Sequence, residues 1–122
     1  MQGILVVGHG SRREEARRAF YQIVNQLGEK LKMETEGCFM EISAPYIPET
    51  IEKMIEKGVT DIKVQPYFLF EGIHIKEDIP EILRGVKKKH PTINITMASP
   101  IGFHTLLVDI LADRIEGETQ CI

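Results

Sequence analysis

An α/β fold, a three-layer sandwich around a four-stranded parallel sheet, is predicted by three observations. Short apolar runs alternate with longer segments in which apolar residues recur at steps of three and four. The connections between them are brief and carry glycine, proline and serine. The first run, Ile4-Leu5-Val6-Val7, is apolar at every position, as suits a central strand covered on both faces. The resulting order is βαβαβαβα over one domain, residues 1–122. Right-handed crossovers with strand order 2-1-3-4 then place the topological switch between strands one and three. Such sheets bind ligands there, at the carboxyl ends of the strands.

Each element has its own signal. Residues 3–7 form the first strand. Ser11 and Glu14 fit a capping box, so helix one should run from about 12 to about 32. Its apolar stripe is Ala16, Phe20, Ile23, Val24, Leu27 and Leu31. Residues 36–42 read as strand two. Ser43-Ala44-Pro45 opens helix two, with Ile47, Ile51, Met54 and Ile55 on one side and Gly58 as its stop. Strand three is 61–65, extended by Tyr67-Phe68-Leu69-Phe70 past Pro66; alternation expects two of those four to be core packing. Helix three covers about 76–89, with Ile79, Ile82, Leu83 and Val86 inward and Lys87-Lys88-Lys89 at its negative end. Strand four, 93–97, alternates as an edge strand does. Helix four spans about 103–115 with Leu106, Leu107, Ile110 and Leu111 inward, and a frayed tail follows.

Composition narrows the function classes. The chain is 43% hydrophobic and 27% charged, which suits a folded core rather than disorder. A net charge of −3 argues against a nucleic-acid partner. No apolar stretch reaches the roughly 20 residues of a membrane span, so no membrane role is expected. The start MQGILVV has no basic leader and reads as a strand. Cys38 and Cys121 stand apart, as free thiols of a cytoplasmic protein would.

Two apolar runs end in the same way. Val6-Val7 stops at Gly8-His9-Gly10, and Leu69-Phe70 stops at Glu71-Gly72-Ile73-His74. Neighbouring strands lie about 4.8 Å apart, so loops leaving strands one and three on one edge can bring two imidazoles to one ion. Glycine on both sides of His9, and Gly72 two residues before His74, permit sharp turns and leave room for a flat ligand. Neutral imidazole suits divalent cobalt, nickel, iron or zinc. Two nitrogens are fewer than a closed structural site uses, so such an ion keeps open positions. Glu41, Glu71 and His104 stand near the same edge with roles left open. His90 lies at the far end, away from the site.

Other readings of the first loop fit less well. A dinucleotide fingerprint needs glycine where Arg13 stands, and no Walker lysine is present. Ser11 lacks a G-x-S-x-G elbow. A phosphohistidine enzyme would want more arginine around His9 than Arg12 and Arg13 supply.

The residues taken together resemble a known family. Ile4-Leu5-Val6-Val7-Gly8-His9-Gly10-Ser11-Arg12, Met40-Glu41-Ile42-Ser43-Ala44-Pro45 with Pro48, Pro66-Tyr67-Phe68-Leu69-Phe70-Glu71-Gly72-Ile73-His74 with Asp78-Ile79-Pro80, and Pro100-Ile101-Gly102 follow its pattern over essentially the whole chain. The chain is similar to the small class II sirohydrochlorin chelatases, the ATP-independent cobaltochelatase type. The resemblance implies a chelatase half-fold, one lobe of a two-lobed architecture, completed by a homodimer. It implies insertion of Co²⁺ into sirohydrochlorin in cobalamin biosynthesis, without ATP or an organic cofactor. Relatives insert Ni²⁺ for coenzyme F430 or Fe²⁺ for sirohaem. His9 matches the family's metal ligand and proton acceptor, and His74 its second metal ligand. Leu69, Phe70, Glu71, Gly72, Ile73 and His74 match its substrate-contacting segment. Ala44 falls where some relatives carry an acidic residue that touches substrate. Arg12 and Arg13 are positioned to pair with substrate carboxylates. A non-catalytic metal or tetrapyrrole carrier and a flavodoxin-like nucleotide module are the competing readings.

Overall fold

The apolar run at the amino terminus becomes the centre of the sheet. Strand β1, Gln2–Gly8, pairs in parallel with β2, Glu34–Phe39, on one side and with β3, Asp61–Pro66, on the other; β4, Asn94–Met97, lies outside β3. The order is β2-β1-β3-β4, so β1 and β3 meet at the switch point. The computed structural model describes residues 1–122, apart from the side chains of His74 and Ile75.

Alternation along β1 divides the core. Leu5 and Val7 point to helices α2, Ile47–Glu56, and α3, Ile79–Lys89, and pack with Ile47, Ile51, Met54, Val64, Ile79 and Leu83. Ile4 and Val6 point to α1, Glu14–Leu31, and pack with Phe20, Val24 and Phe39. Full burial of each such aliphatic side chain is worth about 1.5–3 kcal/mol, so β1 anchors both faces.

Several boundaries differ from the sequence expectation, each for a local reason. The Ser11–Glu14 capping box does not form. The Glu14 carboxylate accepts from Arg18 at 3.0 Å, one turn along, and the Ser11 hydroxyl accepts from the Arg13 N–H at 3.1 Å. Helix α1 therefore starts at Glu14. Strand β2 ends at Phe39 rather than at 42, because its partner β1 ends at Gly8 and Ile42 turns to φ 73°. Helix α2 starts at Ile47; Glu49 caps it by accepting from the Tyr46 N–H at 2.8 Å. The left-handed turn that ends it falls on Gly58, at φ 96°. Tyr67 adds one bond to Val7 O at 2.7 Å, but residues 68–70 do not prolong β3, since β1 offers nothing further to pair with. The expected alternation does not appear: of the four residues only Phe68 packs against the core, while Tyr67 is exposed and touches the Phe20 ring from its edge, because the segment leaves the sheet after Tyr67. A π-helical turn, His74–Asp78, precedes α3.

The largest correction concerns α4, Thr105–Glu116. Leu106, Leu107, Ile110 and Leu111 are expected inward, yet α4 buries none of its residues. Leu106, Ile110 and Leu111 are exposed and Leu107 is half-buried. The sheet face left uncovered beside α1 carries Lys63, Gln65, Asn94 and Thr96, which give an apolar helix nothing to dock on.

Candidate functional site

The carboxyl ends of β1, β2 and β3 open into loops that form one edge. Beyond the sheet, the β1 and β2 extensions stay tied: Met40 N–H donates to Gly8 O at 2.9 Å and Glu41 N–H to His9 O at 3.3 Å. Gly10 sits at φ 117°, and a Cβ there would lie 1.9 Å from Glu41 O. Only glycine lets the loops close this far. Ile42 holds a left-handed φ of 73°, which for a β-branched residue costs about 1–3 kcal/mol. Ser43 then turns back, its N–H donating to Glu41 O at 2.8 Å and its hydroxyl accepting from Ser11 N–H at 3.2 Å. Arg17, in the first turn of α1, donates from Nη1 to Ser11 O at 2.8 Å.

This scaffold brings His9 and Glu41 together. His9 Nε2 lies 3.1 Å from Glu41 Oε1, with the two side chains 48% and 56% exposed. The His9 ring also meets the edge of Phe68, centroids 6.3 Å apart at 84°. The imidazole is thus held between a carboxylate and an apolar wall while still open to a ligand. A carboxylate bonded to one ring nitrogen fixes the orientation of the imidazole, the arrangement found around catalytic and metal-binding histidines.

His74 opens the π-helical turn on the same edge. The expected contact of its imidazole with an ion lies outside the described residues. Among the described residues no cluster of three histidine, cysteine, aspartate or glutamate side chains converges on a metal position. Cys38 takes no part: it is fully buried, and burial, with Glu49 nearby, pushes its thiol up, which keeps it protonated.

The remaining sequence candidates surround this pair. Leu69, Phe70, Glu71, Gly72 and Ile73 are exposed on the loop after β3, with Phe70 at 75%. Phe70 and Glu71 face Ser99, Pro100 and Gly102 across a cleft of about 370 Å³. That wall is pinned by Ile101 N–H to Phe68 O at 2.9 Å and Gly102 N–H to Leu69 O at 2.6 Å. Ala44 is exposed on the loop after β2. Arg12 and Arg13 are exposed just before α1, at its positive dipole end, and no hydrogen bond or ion pair holds either guanidinium among the described residues. His104 caps α4, with Nδ1 accepting from Leu106 N–H at 3.1 Å, and His90 bonds Glu52 at 2.7 Å at the far end. Glu41, placed by sequence at a strand end, instead lies on the loop beside His9. The contacts of Ser43 and Arg17 with Ser11 carry no signal in the sequence: Ser43 reads there as the opening of helix two, and nothing separates Arg17 from Arg18.

The CbiX family model matches residues 3–118. The chain belongs to the CbiX family. A sirohydrochlorin cobaltochelatase of Sulfolobus acidocaldarius is 38% identical over 119 residues, covering 95% of this chain and 91% of that relative. A chloroplastic sirohydrochlorin ferrochelatase of Arabidopsis thaliana is 34% identical over 93% of this chain but 51% of its own length. The crystal structure of the sirohydrochlorin chelatase SirB from Bacillus subtilis subspecies spizizenii, in complex with cobalt, superposes with a TM-score of 0.84 at 32% identity. It is covered over 50% of its length by 94% of this chain. This CbiX chain thus spans about half the length of several curated relatives, and nearly all of the Sulfolobus one.

Proposed function

We propose that this chain is a sirohydrochlorin cobaltochelatase, inserting Co²⁺ into sirohydrochlorin on the way to cobalamin without ATP or an organic cofactor. The observation that carries this reading is the His9–Glu41 pair, 3.1 Å apart and half exposed at the switch point of the sheet. The similarity to a cobaltochelatase over nearly the full length of both chains supports the choice of metal. Two free cysteines, Cys38 and Cys121, suit a reducing, cytoplasmic setting.

The chemistry needs a weak metal site and a base. His9 and His74 hold the divalent ion with positions left open, so the macrocycle's nitrogens can replace them one by one. Each pyrrole N–H bond breaks as its nitrogen binds the metal, and two protons leave. As the ion passes to the macrocycle, the imidazole nitrogen that held it is free to accept a proton. Glu41 stabilises the imidazolium so formed. Leu69, Phe70 and Ile73 give the ring an apolar surface, with Ala44, Glu71 and Gly72 at its rim. Arg12 and Arg13 take its carboxylates.

One lobe leaves a flat, open edge. A second copy supplies the other wall, as the second half of the longer relatives would, and α4 is the face that joins them. Its exposed Leu106, Val108, Ile110, Leu111 and Ile115 support that role.

The test mixes purified protein with sirohydrochlorin and Co²⁺, Ni²⁺ or Fe²⁺ in turn and follows the absorbance change of insertion. Wild type should act fastest with Co²⁺, and His9→Ala should lose at least about 100-fold in rate. A carrier would bind both partners without accelerating insertion. Fastest insertion of Fe²⁺ would favour the iron reading, which similarity to the Arabidopsis ferrochelatase keeps in view.

A further inference from the structure

We propose that Ser43 and Arg17 are positioning residues that lock the two loops of the His9–Glu41 pair together, and that this grip sets how tightly the site holds its divalent ion. The proposal rests on the chelatase reading of the same site.

The pair sits on two separate loops, 32 residues apart in sequence, joined by the side-chain contact itself and by two backbone bonds, Met40 N–H to Gly8 O at 2.9 Å and Glu41 N–H to His9 O at 3.3 Å. The bond at the pair is the longer of the two and a weak tie. The approach is close, and part of it is strained. Gly10 permits it, having no side chain to collide with Glu41 O, whereas Ile42 is held in a conformation that L residues with branched side chains rarely adopt. Something must hold the loops in this unfavourable approach. Ser11 is where the restraint converges. Its N–H is taken by the Ser43 hydroxyl, its carbonyl by the Arg17 guanidinium, and its own hydroxyl accepts from Arg13 N–H.

Ser11 lies two residues after His9, and Ser43 two residues after Glu41. The clasp therefore acts on the backbone just beyond each member of the pair, without a bond from Ser43 or Arg17 to the His9 ring among the described contacts. Arg17 also differs from its neighbours. Arg12 and Arg13 are exposed, whereas Arg17 is half-buried and committed to a carbonyl. It is a brace rather than a carboxylate receptor. Productive geometry at such sites is needed to within about 0.5 Å, and loss of a supporting partner typically costs about 10- to 100-fold in metal affinity or activity.

The experiment titrates Co²⁺ alone, by visible absorption, into wild type, Ser43→Ala, Ser43→Thr and Arg17→Met. Insertion into sirohydrochlorin is measured in parallel. Ser43→Ala and Arg17→Met should each weaken Co²⁺ binding about 10- to 100-fold and lower kcat to match, with the KM for sirohydrochlorin moving less than about twofold. Ser43→Thr, which keeps the hydroxyl, should restore both. A variant that binds and inserts Co²⁺ as wild type does removes its residue from the clasp, and both doing so overturns the proposal. If Ser43→Ala loses its cooperative melt, Arg17→Met decides by the same readouts. If wild type binds Co²⁺ but inserts no metal, the chelatase reading falls while the titration still judges the clasp; if it binds none, both fall.

Discussion

Helices α3 and α4 are similar in length, they flank β4 along the chain, and each carries four or more large aliphatic residues. Yet α3 buries Ile79, Leu83 and Val86, and α4 buries nothing. The difference lies in the sheet rather than in the helices. The face under α3 presents Leu5, Val7, Ile62 and Val64, so both surfaces lose water on contact. The opposite face of β3 and β4 presents Lys63, Gln65, Asn94 and Thr96, whose desolvation would cancel the gain. An apolar stripe shows that a helix is to be covered; the surface opposite decides by what.

Breaking the docked side should have the largest effect. Leu83→Ala, within the α3 core, should lower unfolding free energy by about 2–5 kcal/mol in denaturant titrations. The matching change on α4, Leu106→Ser with Leu111→Ser, should leave the unfolding of the single chain within about 0.5 kcal/mol of wild type. In sedimentation equilibrium the same pair should weaken self-association at least about 100-fold, through loss of roughly 3 kcal/mol or more of apolar contact. A double mutant that melts like Leu83→Ala would mean that α4 docks within its own chain.

The smallest effect sharpens the comparison through polar contacts. Helix α2 is tied to β2 by Lys57 to Glu34 and Glu36, at 2.7 and 2.9 Å, and by Lys53 to Glu36 at 3.3 Å. The polar bonds of α4 stay local, His104 to Leu106 and Arg114 to Asp113. Partial burial would raise the Glu36 pKa, but the Lys57 and Lys53 bonds outweigh it, and the carboxyl is held below its ordinary value. The folded protein therefore binds the Glu36 proton less tightly than the unfolded chain does. Its contribution is fully present above the ordinary carboxylate pKa and disappears as pH falls through the lowered one. Glu36→Gln should cost about 1 kcal/mol at pH 7, and the gap to wild type should close in acid. A gap that persists at low pH would assign the effect to packing.

Although of the α1 stripe only Phe20 and Val24 are buried while Ala16, Ile23 and Leu31 are exposed, periodicity and turn residues alone were enough for the strand order, the two-faced burial of β1 and the helical stripes of α2 and α3. Each depends on residues close in sequence, or on a chirality rule that holds for any such chain. Long-range contacts settled the rest. The end of β2 follows from where β1 runs out, the failed cap at Ser11 from Arg18 claiming Glu14, and the solvent-facing α4 from the polarity of strands outside its own segment. The clasp joining His9 to Glu41 spans 32 residues from Ser11 to Ser43. Local pattern specifies which side of an element seeks cover, whereas partners distant along the chain are chosen by packing and hydrogen bonding in three dimensions.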